Sequence, residues 1–341
     1  MSLTGDRDTL LYLEAAAVTE LCGTIDPLEV VADAFLAVHS GEAAVGPEAS
    51  LRWTAPDGTA ARSLVLPARH GDSFGCKIIN ACIGNVARGL PRAHGLVVLF
   101  DPETAAPACI LEGARISALR TAAVSLVALR AVRDLGTVRR VAFLGCGRQA
   151  QTHAELLAAR AALESVSVYD SDAARSEAFA DELKPLISNV EVADTPEEAV
   201  RAAEVTIAVT TTSTPYVELD WLPEGAVFLN VSLDDATEEL LLGCDHLFVD
   251  DWTLVSEDDT RLLGRLVRDG RVTGPDETPP AGGRKVDAEL AVLVSGTYPR
   301  PIGESDRVVV NPFGMGVHDI AFAARVYAAA RERSVGTRLT R

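Results

Sequence analysis

Val141-Ala142-Phe143-Leu144-Gly145-Cys146-Gly147-Arg148-Gln149-Ala150, followed by an alanine-rich stretch to residue 162, decides how this chain is read. Four apolar residues read as a buried strand. Gly145 and Gly147 make a tight turn, and a helix is expected from about Gln149. The pattern is G-x-G-x-x-A, a form of the dinucleotide fingerprint. The first glycine permits the turn, the second admits a pyrophosphate, and the third small residue lets helix and strand pack closely. The helix N-terminus then offers unpaired N–H groups and a positive dipole end to the phosphates.

The pattern around this stretch is that of a parallel sheet. Residues 165–170, 190–192, 205–210, 226–231 and 246–250 are short apolar runs. Helical segments stand between them, at 173–183 and after Thr195-Pro196, where Thr is the cap and Pro the first helical residue. Strands alternating with helices mean a parallel sheet. Residues 271–288, rich in Pro and Gly, are expected to be a loop. Residues 308–314 are a late strand and turn, and 319–333 a final helix.

Upstream the pattern differs. Residues 10–13 read as a short strand and 24–39 as a helix, with Asp26 as cap before Pro27. Segments 50–53, 61–66, 74–79, 95–101 and 108–111 alternate, with Gly and Asp turns, as an antiparallel sheet does. Residues 116–132 form an Ala- and Leu-rich helix. The fold expected is α/β, a nucleotide-binding unit on a parallel sheet preceded by an antiparallel sheet.

Composition narrows the function. The 341 residues suffice for two domains, and 48% hydrophobic residues argue against disorder. A net charge of −18 argues against nonspecific binding to nucleic acid or anionic lipid. Six scattered cysteines without a C-x-x-C pair suggest a reduced cytoplasmic chain and no structural zinc. The first residues carry Asp6, Arg7 and Asp8 and no apolar run of signal length, and no apolar run is long enough for a membrane span. No metal is expected.

Several residues stand where chemistry is expected. Asp170 ends the strand after the fingerprint. A carboxylate there accepts hydrogen bonds from ribose hydroxyls and repels a 2′-phosphate, which favours NAD over NADP. Arg52, Lys77, Arg92 and Arg120 each sit beside apolar or small residues. Lys77, between Cys76 and Ile78 in a strand, is costly unless paired with an anion or neutral. In an acidic protein such cations suggest a carboxylate pocket, although each alone also fits a solvated strand face or helix end. Asp234 and Asp235 follow the fifth strand, where ligands bind in parallel sheets, and one of them also fits a helix cap. Thr210 and Thr211 end the fourth strand and suit the nicotinamide side.

The order Gly75-Cys76-Lys77, then Gly89-Leu90-Pro91-Arg92-Ala93-His94-Gly95, then Arg120-Thr121-Ala122-Ala123-Val124-Ser125, then Gly145-Cys146-Gly147-Arg148-Gln149-Ala150 resembles the ornithine cyclodeaminase/mu-crystallin family. The resemblance runs from Leu11 to Leu339. Asp101-Pro102-Glu103-Thr104, Pro215-Tyr216-Val217-Glu218, Val249-Asp250-Asp251-Trp252 and Asn311-Pro312-Phe313-Gly314-Met315 are similar to one branch, the NAD-dependent N-(2-amino-2-carboxyethyl)-L-glutamate dehydrogenases. These make L-2,3-diaminopropionate for siderophores and peptide antibiotics.

The resemblance implies two domains, 126–311 a Rossmann NAD-binding domain and 1–125 with 312–341 a second α+β substrate and dimerisation domain, in a homodimer whose active site lies between its domains and which acts on a small amino-acid substrate with NAD. It implies catalytic Lys77 and Asp235, substrate binding by Arg52, Lys77, Arg92 and Arg120, and cofactor binding by Arg120, Thr121, Gly145, Gly147, Arg148, Gln149, Ala150, Asp170, Thr210, Thr211 and Ser232.

The segment Ser232-Leu233-Asp234-Asp235-Ala236-Thr237-Glu238-Glu239-Leu240 is shorter than the cyclodeaminase pattern G-x-D-x-P-G-K-x-E-L and lacks its Pro-Gly-Lys. That weakens a cyclodeaminase reading. It leaves the acid open between Asp235, which is preferred, and Asp234. Relatives often carry Glu before the Asp of the last motif, whereas this chain has His318 before Asp319. A cyclodeaminase with recycling NAD, an imine or amino-acid reductase, and a ligand-binding protein of the mu-crystallin kind are the alternatives.

Overall fold

Buried strand runs and short turns build two units in the computed structural model: Met1–Arg120 with Met315–Arg341, and Thr121–Gly314. The structure describes residues 9–341, the side chain of Val86 excepted. The expectation drawn from Asp6, Arg7 and Asp8 lies outside the described residues.

Unit 1 begins with β1 (Thr9–Leu13), α1 (Ala15–Cys22) and α2 (Pro27–Ser40). Asp26 caps α2 by accepting from the Leu28 N–H, with Pro27 at the first turn. Six strands follow: β2 (Ala43–Val45), β3 (Ala49–Thr54), β4 (Ala60–His70), β5 (Ser73–Cys82), β6 (Ala93–Phe100) and β7 (Pro107–Glu112). Helix α3 (Ala114–Val132) carries the chain into unit 2.

Unit 2 contains β8 (Arg140–Leu144), α4 (Arg148–Ala158), β9 (Ser165–Tyr169), α5 (Ala173–Leu183), β10 (Val190–Val192), α6 (Pro196–Arg201), β11 (Val205–Ala208) and β12 (Val227–Asn230). Then come α7 (Glu238–Gly243), β13 (His246–Val249), α8 (Trp252–Glu257), α9 (Leu262–Arg268), β14 (Val272–Thr273), β15 (Arg284–Lys285), β16 (Ala288–Glu289), α10 (Leu290–Val294) and β17 (Val308–Val310). Helix α11 (Gly316–Arg333) and β18 (Thr337–Thr340) complete unit 1.

The unit 1 sheet has the order β18-β1-β7-β6-β5-β4-β2, with β3 paired to β4. Only the β1–β7 pairing is parallel. Helix α11 lies across β4, β5 and β6 and against α1 and α2. Its approach is close: a Cβ on Gly316 would stand 2.9 Å from Leu66 Cβ and 3.0 Å from Leu66 O. On β5 the residues that turn to this covered side are Gly75 and Lys77, two apart as strand geometry requires. That places a lysine inside.

The unit 2 sheet runs β10-β9-β8-β11-β12-β17-β13-β16, parallel throughout. The late strand β17 inserts between β12 and β13, so the sixth apolar run is not the neighbour of the fifth. Hydrophobic runs alone cannot give that order. Residues 271–288, expected as a loop, hold β14 and β15 and lead into β16. The fingerprint helix, read through residue 162, ends at Ala158. Beneath the sheet a core gathers Leu144, Phe228, Leu240, Leu247 and Val309.

A buried histidine ties α3 to α4 within unit 2. His153 is fully buried. Its Nδ1 lies 2.7 Å from Gln149 O, which only accepts, so Nδ1 carries the proton. Nε2 then accepts from the Ser125 hydroxyl at 2.9 Å. Burial lowers the pKa of this ring from 6.5 to about 4, and the bond to Gln149 offsets part of that.

All six cysteines are free. Among the described residues no helix is long and apolar enough to cross a membrane, and no His, Cys, Asp or Glu cluster could hold a metal ion.

His153 makes stability depend on pH. Below pH 6.5 the unfolded chain binds a proton that the folded ring refuses until about pH 4. Its contribution is therefore intact above 6.5 and falls as pH drops through that window, by on the order of 3 kcal/mol. Denaturant unfolding from pH 7 to 4 should show a smaller loss in His153→Gln than in the unsubstituted protein.

Candidate functional site

The turn of the opening stretch shapes a cavity in unit 2. Gly145 has φ 91° and sits against the segment that follows β11: a Cβ there would stand 3.1 Å from Thr210 N and Val209 O. Its N–H donates to Tyr169 O at 2.8 Å. Gly147 caps α4 with no side-chain hydrogen bond, and a Cβ on it would meet nothing within 4 Å. Open space, unpaired N–H groups and the dipole of an eleven-residue helix make a cradle for phosphate.

The cavity, about 500 Å³, is lined by Gly145, Cys146, Gly147, Asp170, Arg175 and Thr210 among others. Asp170 Oδ2 accepts from Cys146 N at 2.9 Å, and Oδ1 from Asp172 N at 3.0 Å. One carboxylate thus pins the glycine turn and stands at the cavity wall. These features fit a dinucleotide.

Asp235 lies behind that wall. Its Oδ1 accepts from Thr210 Oγ1 at 2.6 Å and from Tyr216 OH at 3.2 Å. Thr210 and Tyr216 both line the cavity. The other oxygen, Oδ2, is buried without a partner. Burial raises this carboxyl to about 6, against the two hydroxyl bonds that favour its charge, and Asp234 adds repulsion. An acid poised near neutrality suits proton transfer.

Asp234 has different work. It accepts from the N–H of Leu262, the first residue of α9, at 2.8 Å, and pairs with Arg265 at 3.3 Å. The ambiguity in the sequence therefore separates by geometry: Asp234 anchors a helix, and Asp235 bonds two cavity-lining residues through one oxygen and keeps the other unsatisfied. Thr237, not Asp234, caps α7.

Behind the sheet ends, Asp250 holds the Asn311-Pro312-Phe313-Gly314 turn. It accepts from Phe313 N at 2.8 Å and Gly314 N at 2.6 Å. Asn230 donates to Asn311 Oδ1 at 2.8 Å. Arg261 covers the Phe313 ring at 4.2 Å and donates to Pro312 O. These motif pieces are structural ties within unit 2.

A cluster of charge forms in unit 1. Lys77 is 1% exposed. Its Nζ donates to Ser117 Oγ at 2.8 Å and lies 2.9 Å from Asp319 Oδ1. Arg120 Nε lies 3.1 Å from Asp319 Oδ2. Burial and the Arg120 charge push Lys77 down to about 8, while Asp319 opposes them. Burial would raise Asp319, but Arg120 and Lys77 reverse this and hold it below the usual carboxylate range.

The remaining expected residues disperse. Arg52 lies on β3, every residue of which is exposed, opposite Arg62. Arg92 is exposed just before β6. Among the described residues no hydrogen bond or ion pair joins either to the Lys77 cluster. Arg148 is exposed, Ala150 is buried, and Gln149 keeps a buried Oε1 without a partner. Thr211 lines the cavity. Thr121 and Ser232 are half-buried and do not line it. Arg120, expected at both substrate and cofactor, has Asp319 as its partner.

Asp319, Tyr216 and Arg175 were not singled out as site residues. The signal for Asp319 was present: an acid inside the apolar run Val317 to Phe322. Tyr216 had a signal in the Pro215-Tyr216-Val217-Glu218 motif, whereas Arg175, on the first turn of α5, had none.

Comparison with known proteins agrees with this architecture. The ornithine cyclodeaminase/mu-crystallin family matches residues 9–334. The N-((2S)-2-amino-2-carboxyethyl)-L-glutamate dehydrogenase of Staphylococcus aureus is 31% identical over 82% of each chain. The crystal structure of CmnK superposes with a TM-score of 0.88 at 36% identity, covering 97% of this chain and 98% of that one. An archaeal alanine dehydrogenase dimer with bound NAD shares the fold, with a TM-score of 0.84 at 22% identity over 97% and 99% of the two chains. The chain belongs to the ornithine cyclodeaminase/mu-crystallin family.

Proposed function

We propose that this NAD-dependent enzyme oxidatively cleaves N-(2-amino-2-carboxyethyl)-L-glutamate to 2-oxoglutarate and L-2,3-diaminopropionate. The carrying observation is the likeness, 31% over 82% of the chain, to an enzyme named for that substrate. The site chemistry supports it. A buried lysine and a half-buried arginine in unit 1 suit a substrate rich in carboxylates, and a half-satisfied acid in unit 2 suits a reaction that consumes water. Production of a siderophore or antibiotic precursor extends the same reading.

Gly145, Gly147, Asp170, Thr210 and Thr211 hold the cofactor. NAD, when bound, supplies the hydride acceptor. Lys77 and Arg120 bind and orient a carboxylate of the substrate. Two-electron oxidation of the CH–NH bond of the glutamate-derived carbon gives an imine and releases a proton. Asp235 takes a proton from the water that adds to this carbon. The C–N bond then breaks, with a proton returned to the leaving amine. Water and NAD+ are consumed, and 2-oxoglutarate, diaminopropionate, NADH and one proton result.

The substrate should therefore yield net NADH, with both products visible by mass spectrometry. A cyclodeaminase returns the hydride, so turnover of ornithine to proline without net NADH would overturn the reading. Lys77→Ala should lower kcat by roughly 100-fold or more yet leave NAD binding nearly intact.

Asp170 should govern cofactor choice. Asp170→Ser removes the repulsion of a 2′-phosphate and leaves Arg175 at the same cavity. NADH binding, followed by fluorescence, should weaken about 10-fold, the NADPH-to-NADH affinity ratio should rise, and an unchanged ratio would displace Asp170 from the ribose.

Homodimerisation belongs to the same proposal. Leu51 and Trp53 stand on one face of the exposed strand β3, 66% and 46% exposed. Two large apolar side chains side by side on an exposed strand are where a contact with a second copy would bury most apolar area. Light scattering should give twice the chain mass, and Leu51→Asp with Trp53→Asp should give the monomer.

A further inference from the structure

The sequence has three lysines among 31 lysines and arginines: Lys77, Lys184 and Lys285. Lys184 has its side chain 64% exposed beside Asp181, and Lys285 is exposed and donates to Pro275 O. Lys77 alone is buried. Arginine stays charged at any working pH, whereas a buried lysine can lose its proton. A chain that uses arginine nearly everywhere has lysine at its most buried cation.

The charges around Lys77 are few. From α3 come Arg120 and the Ser117 hydroxyl. From α11 come Asp319 and its neighbour His318. The partners of Lys77 on β4 and β6 are Leu66 and Val97, which are apolar. Exposed Glu48, ahead of β3, adds a weaker attraction.

His318 supplies no charge. It is fully buried against Phe35, both ring nitrogens lack partners, and burial, then Arg120, push it down to about 3. Asp319 is thus the one buried anion for two cations. Each of its oxygens serves a different cation, at 2.9 and 3.1 Å. Charge attraction ties Asp319 to both cations, and the short Lys77 contact adds a side-chain hydrogen bond that favours the charged forms.

We propose that Asp319 is the positioning residue of this cluster: from α11 it holds Arg120 and keeps on Lys77 the removable proton with which the cluster receives a carboxylate. This rests on the proposed function for the identity of that carboxylate, but not for the link between Asp319 and Lys77. With the proton in place the three groups carry one net positive charge, which one substrate carboxylate neutralises. Without the proton they carry none. Asp319 works against burial and Arg120, which both strip Lys77. Removing it leaves those two influences almost unopposed.

Three lysines make a spectrum that can be read without activity. In nuclear magnetic resonance of the protein with isotope-labelled lysine Cε, the Lys77 signal should titrate below those of Lys184 and Lys285. Adding 2-oxoglutarate should raise its midpoint. In Asp319→Asn the midpoint should fall by a further pH unit, roughly, with the other two lysines unmoved, and 2-oxoglutarate should bind about 10-fold more weakly. Asp319→Glu should restore part of both.

A folded Asp319→Asn protein with an unmoved Lys77 midpoint overturns the proposal. So does an unsubstituted protein in which all three lysines titrate together, a result that stands even if the Asn variant does not fold. If the aminocarboxyethyl-glutamate is not oxidised, the proposed function falls while the lysine titration still decides the role of Asp319.

Discussion

A lysine with almost no exposed surface needs a counterion or must give up its charge. In this chain the counterion is Asp319, from the far end of the sequence. The pairing ties α11 to β5 and α3 within unit 1. Helix α11 must cross β4, β5 and β6 at a fixed height, and Gly316 permits that by offering no Cβ to Leu66. Arg120 arrives on α3 and shares the same carboxylate. Losing one partner of such a buried pair typically costs about 3–5 kcal/mol. The cluster is thus a costly way to hold a fold together and a useful way to hold an anion.

Unit 2 solves a different problem with the same economy of groups. The turn at Gly145 must bring backbone N–H groups to an open space and keep them there. Asp170 does both, because one oxygen holds the turn through Cys146 N while the carboxylate faces the cavity. Asp234 and Asp235 are adjacent in sequence and opposite in use. One carboxylate is engaged by the α9 N-terminus and Arg265. The other has one satisfied oxygen and one bare one. A fully satisfied acid stabilises, and a half-satisfied acid in a dry place can exchange a proton.

Much of this was legible in the sequence. The fingerprint between a strand and a helix gave the nucleotide unit. Alternation upstream gave the antiparallel sheet, and Asp170 at a strand end gave the carboxylate at the cavity. Lys77 was legible as an anomaly, because a charge between apolar strand residues demands an explanation. Arg52 and Arg92 differ from Lys77 in burial. Each had similar neighbours in sequence, yet each is exposed. Neighbours along a strand do not reveal whether a helix covers its face.

The sequence by itself determined the element types, the parallel and antiparallel halves, the glycine turn and the family, because these follow from local periodicity, backbone permission and motif spacing. Only the tertiary structure decided that β17 enters between β12 and β13, that Asp319 meets Lys77 and Arg120, and that Asp235 rather than Asp234 keeps a free oxygen. Each of those depends on the packing of segments distant in sequence, and burial and electrostatic partnership are properties of that packing rather than of any one stretch.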